Sequence, residues 1–301
     1  MPITEKQKEM RLKHIGASES AAILGMNPWA TAYDVWMEKT GRIMGFDGNE
    51  ACDLGNMIED GLLDWAGGEV GDRIIKNQYR VHAGGVLSAT HDALSMENSN
   101  IGYEAKTAGL LNPWNANDVW GEARTDEIPD HYIIQCQHQM LVSDLDIVFV
   151  PALIGGRGRV MFEVKRNYEI GEAILEACEC FWEKNVKLDM PPTDCPKLET
   201  VKRMRREPGK VVLVNADVVQ DWLSAKAAEE LAKKDREQAE AAMLALVGDA
   251  EAADCRLGRL VIKTVESTRF DRKALKAVYP EIEKQFLSVS AYQRMNWKAA
   301  S

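Results

Sequence analysis

Stretches with apolar residues at helical spacing alternate with strand-like stretches over the first two-thirds of the chain, and this change of period outlines the fold. Residues 18–25, SESAAILG, predict a short helix with Ser18 at its N-cap and Gly25 at its stop. A second helix, AYDVWMEKTG, ends at Gly41, and residues 42–53 read as loop. In LGNMIEDGLLDWAGG, Leu54, Ile58, Leu62 and Trp65 fall on one helical stripe with Glu59 at its border. Strands are predicted at about 73–82, 86–92 and 101–107, followed by a long polar loop at 108–127. A helix over 130–143 comes next, then a hairpin, LDIVFVPAL and GRVMFEVKR, turning at Gly155-Gly156. A helix over 170–187 stops before Pro191-Pro192. Helices, a three-strand meander, a helix and further strands predict an α/β (α+β) core with a mixed sheet.

From about residue 211 the pattern changes. Residues 217–247 are rich in Ala, Glu and Lys, lack Gly and Pro, and predict a long helix serving as a hairpin arm or coiled-coil element. A strand in RLGRLVIKTVE, a helix in DRKALKAVYPEIEKQFL and a final strand in SAYQRMNWKA close the chain. This divides the sequence into a domain at 1–200 and an extension at 201–301.

Composition adds exclusions. No apolar run approaches the ~18 residues of a membrane span, and the start, MPITEKQKEMRLKH, lacks the apolar core of a signal peptide. The cysteines form no Cys-x-x-Cys pair, which points to the reducing cytoplasm, and Cys178 and Cys180 read as small core residues. A net charge of −10 argues against a protein coated in nucleic acid. It leaves room for an enzyme whose basic residues line a channel. Lys6, Lys8, Arg11 and Lys13, and the run 197–210, are local basic clusters of that kind, or else solvated faces.

The chemistry concentrates at Asp92 and Glu104-Ala105-Lys106. Glu104 and Lys106, two apart on a strand, share a face, and a hairpin turning at Asn98-Ser99-Asn100 brings Asp92 beside them. Two carboxylates suit a hard divalent ion that completes its shell with water and phosphate oxygens. The lysine can steady a nucleophilic water or the charge growing on phosphorus. Together these point to a metal-dependent phosphodiester nuclease. A decoy of the same spacing, Glu163-Val164-Lys165, has no acid near the end of the preceding strand. Helix 130–143 carries an uncharged polar stripe of His131, Gln135 and Gln139 (or His138), which suggests a polar partner such as a metal-bound water or DNA; packing under another segment is the plainer reading.

Four blocks, RLKHIGASESAAILGMNPWATAYDVWMEKTGR, LGNMIEDGLLDWA, LSATHDALSMENSNIGYEAKT and YIIQCQHQMLVS, occur in an order that resembles the YqaJ-like viral recombinase family. These are relatives of phage lambda exonuclease within the PD-(D/E)xK nuclease superfamily. The resemblance covers roughly residues 10–195 and implies a restriction-endonuclease-like core, a central mixed sheet flanked by helices. It implies that Asp92 and Glu104 are metal ligands, Lys106 the catalytic amine, Glu59 an accessory acid that reaches the metal directly or through water, and Gln135 a neighbour of the water and metal. Arg11 and Ser18 match positions that hold the DNA 5′ phosphate, although a plain helix cap accounts for Ser18 equally well. Where the family has Pro-Asp-Gly, this chain has His91-Asp92-Ala93, which keeps the carboxylate and changes the backbone around it.

The implied activity is Mg²⁺-dependent 5′→3′ exonuclease action on linear double-stranded DNA, with Mn²⁺ able to substitute. It would leave 3′ single-stranded tails for a phage annealing protein. The resemblance further implies a ring trimer and a phage- or prophage-encoded protein in the bacterial cytoplasm. The rival readings are a structure-dependent or nicking endonuclease on the same core and a catalytically silent DNA-binding scaffold.

Overall fold

A computed structural model describes residues 5–43, 48–110, 119–204, 206–266, 271–279 and 281–282. The chain divides into two compact units, Met1–Arg206 and Glu207–Ser301.

The first unit begins with α1 (Glu5–Lys13), a two-residue strand β1 (Ile15–Gly16), α2 (Ala17–Ile23), α3 (Ala32–Lys39) and α4 (Glu50–Val70). The antiparallel strands β2 (Ile74–Val81) and β3 (Leu87–Ser95) follow, then β4 (Ile101–Tyr103) and β5 (Lys106–Ala108). Helix α5 (Asp130–Ser143) leads into the hairpin of β6 (Ile147–Ile154) and β7 (Gly158–Lys165). Helix α6 (Tyr168–Phe181) continues as a π-helical turn over Trp182–Lys187, and α7 (Leu198–Lys202) completes the unit. The seven strands form one mixed sheet: β2 and β4 run antiparallel to β3, while β1 is parallel to β3 and β4 and β5 are parallel to β6. The expected mixed sheet flanked by helices is present.

Local chemistry sets several boundaries. The Asn49 side chain accepts from Cys52 N–H, so α4 starts at Glu50, inside the stretch expected to be loop. Thr31 caps α3 with Asp34 answering from the third helical position. Helix α2 departs from its expected cap: Gly16 is the N-cap, its N–H donates to Glu19 Oε2 at 2.7 Å, and Ser18 lies exposed within the first turn. The cause is long-range, because Ile15 and Gly16 pair with Leu87 and Ser88 and fix where the extended chain ends. Gly25 does stop the helix, at φ +73°. Of the two cysteines expected in the core, Cys178 is buried and Cys180 is exposed, as residues two apart on a helix face different ways.

Packing fixes the sheet between its helices. Tyr103, Phe149, Ala93 and Met161 pack with Leu63 and Ala66 of α4, while Val148, Val150 and Ala152 pack with Cys136 and Met140 of α5. Burying each large apolar side chain contributes roughly 1.5–3 kcal/mol. Tyr103 is fully buried, and its hydroxyl is satisfied by donating to Asp72 Oδ2 at 2.7 Å. A Cβ at Gly102 would lie 2.8 Å from Leu145 Cδ1 and would push that side chain aside. Ser20, fully buried on α2, donates to His138 Nδ1 of α5 at 2.5 Å, and His138 Nε2 donates to the Ser88 carbonyl at 3.0 Å. That chain of bonds ties two helices to β3, and burial holds His138 down to about 4.

The second unit is built on α8 (Ala216–Val247), capped by Asn215 and uninterrupted as its composition predicts. Its 32 residues span about 48 Å, and none is buried. The strand expected in RLGRLVIKTVE is instead part of a hairpin, β8 (Ala252–Cys255) with β9 (Gly258–Val261), turning at Arg256-Leu257. Helix α9 (Arg272–Val278) covers the first part of the expected helix, and residues 283–287 of that helix and the final expected strand lie outside the described residues.

Candidate active site

The sheet contains a fork. Along one edge of β3, β1 pairs with Leu87 and Ser88, and β4 pairs with Ala93 and Leu94. Ala93 pairs with Tyr103 and Leu94 with Gly102, so the next step of the register brings Asp92 level with Glu104. There the strands part. Glu104 N–H still donates to the Phe149 carbonyl of β6, whereas Ala105 N–H donates to Asp92 Oδ2 at 2.8 Å. The chain then joins β6 alone as β5, with Lys106 paired to Ala152. The break between β4 and β5 thus sits at Glu104-Ala105, and an acidic side chain from β3 satisfies the freed amide.

Glu104 is 3% exposed, and its carboxylate accepts from three side-chain donors. Lys106 Nζ and Gln135 Nε2 both donate to Oε1 at 2.5 Å, and Gln139 Nε2 donates to Oε2 at 2.6 Å. The uncharged stripe on α5 therefore has a partner within the protein: Gln135 and Gln139, four apart on the helix, grip one buried carboxylate. Lys106 also lies over the Tyr132 ring at 4.8 Å. Burial pushes the Asp92 carboxyl well above the usual range, and the facing Glu104 charge pushes it further. Burial would lower Lys106, but the Glu104 and Asp92 carboxylates outweigh it and raise its ammonium above the ordinary value.

The remaining expected residues lie on α1, α2 and α4. Glu59 is half-buried on α4, and its charge adds to the upward push on Asp92. It does not close a three-acid cage: among the described residues, no three carboxylate, imidazole or thiolate side chains converge as a ligand set. Asp92 and Glu104 nevertheless fit a hard divalent ion, since they offer oxygen donors and carry the like-charge repulsion that such an ion relieves. Arg11 is half-buried in the last turn of α1, and its carbonyl accepts from Lys39 Nζ at 2.5 Å. Lys39 in turn pairs with Glu19 at 2.6 Å, so Arg11 and Ser18 lie on a corner braced by a buried ion pair. Lys6 and Lys8 fall on α1.

His91 turns to Ser143 Oγ at 2.7 Å, and burial holds its imidazole down to about 4. The sequence pointed the Gln139 stripe to a metal-bound water, DNA or a covering segment rather than to Glu104, and gave Tyr132 no role. The available signal was the Tyr132-Ile133-Ile134-Gln135 spacing and the lack of charge at Gln139, but the partner lies more than 30 residues away in sequence.

Comparison with known proteins follows this geometry. Residues 6–146 match the family described as "YqaJ-like viral recombinase domain". A relative from Bacillus subtilis (strain 168), described as "Uncharacterized protein YqaJ", is 25% identical over 312 residues, spanning 97% of this chain and 93% of its own length. An alkaline exonuclease from Laribacter hongkongensis aligns at a TM-score of 0.48 and 16% identity, covering 62% of this chain and 94% of that one. A phage-related exonuclease from Haemophilus somnus 129PT aligns at 0.47 and 14%, covering 60% and 97%.

Proposed function

Because residues 6–146 belong to the YqaJ-like viral recombinase domain family, we propose that this protein is a Mg²⁺-dependent deoxyribonuclease acting 5′→3′ on the ends of linear double-stranded DNA. The observation that carries this reading is the meeting of Asp92, Glu104 and Lys106 where β3 and β4 part, with Glu104 gripped by two amides. Asp92 and Glu104 would hold the ion, with Glu59 as an accessory acid, and Mn²⁺ would substitute. Bound there, the ion would polarise the scissile phosphate and lower the pKa of the attacking water.

The chain's own residues supply the rest. Lys106 offers a fixed cation beside the pair, suited to the charge that grows on the phosphate oxygens. Gln135 and Gln139 keep Glu104 from rotating away, so the site is organised before substrate arrives. Arg11, a guanidinium able to fork onto phosphate oxygens, and the exposed Ser18 hydroxyl would receive the 5′ phosphate. The 3′ tails left behind would suit a single-strand annealing protein, and several copies arranged as a ring trimer would enclose the duplex. The setting would be the cytoplasm of a bacterial host, the chain being phage- or prophage-encoded; among the described residues no helix is long and apolar enough to cross a membrane.

Incubation with linear duplex labelled at either end, 5′-phosphorylated or not, tests the reading. Mononucleotides released from 5′ ends in Mg²⁺ and not in EDTA are expected. Cleavage of covalently closed circles would point to an endonuclease instead, and binding of DNA with no metal-dependent degradation would point to a scaffold.

A further inference from the structure

Among the tryptophans of the first unit, Trp36 and Trp120 are 5% exposed, whereas Trp29 is 66% exposed. This exposure is built into a tight turn. Trp29 N–H and Ala30 N–H both donate to Asn27 Oδ1, at 2.8 and 3.3 Å. Before them, Met26 and Asn27 N–H both donate to the Ala21 carbonyl at the end of α2. Four hydrogen bonds thereby fix the backbone of the segment that carries the indole.

Among the described residues its ring contact is with His131 of α5. Trp29 meets His131 of α5 edge-on, with ring centroids 4.8 Å apart at 88°. The His131 ring lies 4.0 Å from the Tyr132 ring, over which Lys106 Nζ sits at 4.8 Å. His131 has a buried Nε2 with no hydrogen-bond partner, and burial lowers its pKa from the ordinary imidazole value. Trp29 stays largely exposed despite this contact, so the indole remains open to a ligand while His131 supports it from α5. Three contacts in series, Trp29 to His131, His131 to Tyr132 and Tyr132 to Lys106, link the indole to the ammonium beside Asp92 and Glu104.

We propose that Trp29, backed by His131, is a stacking platform that takes the face of a nucleobase beside the scissile phosphate, holding an end nucleotide in line with the fork. Every base offers a π-face, so this contact would tolerate any sequence, as an enzyme that consumes duplex ends requires. The inference rests on the nuclease reading for its substrate class but not for its test.

Anisotropy titrations in EDTA, where no strand is cut, would measure binding of short labelled duplexes whose terminal nucleotides are intact or abasic. Trp29→Ala is expected to weaken binding of intact ends by about 5- to 100-fold, the range for loss of one base–aromatic stack. It should leave binding of abasic ends nearly unchanged, and Trp29→Phe should restore most of the loss. Equal penalties on intact and abasic ends, or no penalty on either, would overturn the proposal. Degradation of linear duplex by the wild-type protein in Mg²⁺ is scored separately. A protein that degrades DNA yet ignores the abasic lesion loses the platform alone, and one that senses the lesion yet never cuts loses the nuclease reading alone.

Discussion

The chain writes Glu-x-Lys on two strands of one sheet, and the two copies have different surroundings. Glu163 and Lys165 lie on β7, a strand paired without interruption along β6 from Gly158 to Lys165. Glu163 makes an ion pair with Arg124 at 2.9 Å, and Lys165 is exposed. Glu104 and Lys106 straddle a break between two short strands, beside Asp92 from a third and under two amides from α5. Spacing is identical, so spacing alone does not make a site. A regular ladder uses its backbone groups in pairing and leaves its charges to solvent. A fork frees an amide, draws in a second acid and buries the first, where its charge requires dedicated partners.

The sharpest way to break this contrast is to remove the same amine from each copy. Lys106→Ala should lower metal-dependent degradation of linear duplex by about 10³-fold while DNA binding persists, and Lys165→Ala should stay within about twofold, read as initial rates on labelled ends. Comparable losses in both variants would erase the distinction.

The amide grip sets a second, smaller difference. Gln139→Leu strips a donor from Glu104 Oε2 and should cost about 10- to 100-fold in activity, with weakened Mg²⁺ dependence, in a rate titration against metal concentration. No counterpart of this sensitivity should exist near Glu163.

Acid should expose the polar interior around β3. His91 and His138 are buried with pKa values lowered to about 4, so both stay neutral in the fold and accept protons more readily once unfolded. Their contribution to stability is complete above the unfolded value near 6.5 and is lost as pH falls toward 4, roughly 2 kcal/mol for each between pH 7 and 5. Urea midpoints should therefore drop across that window. The smallest effect belongs to the decoy: Glu163→Gln breaks a partly exposed pair and should shift the midpoint by no more than about 1 kcal/mol of stability.

What could be read ahead of the structure follows the same divide between local and distant causes. The Asn98–Asn100 turn and the alternation on either side of it carry the Asp92–Glu104 register, because a hairpin is a local object. Helix α5 was legible to the residue, and its lack of charge marked a polar partner. That the partner is Glu104 depends on how α5 crosses the sheet, which no nearby residue encodes. Ser18 carried the signature of a cap and lost that place to Gly16 through pairing with β3, 72 positions away. The β8–β9 hairpin was read as one strand because its first half, Ala252–Cys255, carries little alternation, and the turn at Arg256-Leu257 lacks the usual Gly or Asn.

The central claim is that the fork gathers Asp92 and Glu104 around a divalent ion. Crystals soaked in Mn²⁺ and measured at its absorption edge test it directly. An anomalous peak within bonding distance of both carboxylates is the predicted result; saturating Mn²⁺ that leaves no peak between them, or that binds only elsewhere, would contradict it.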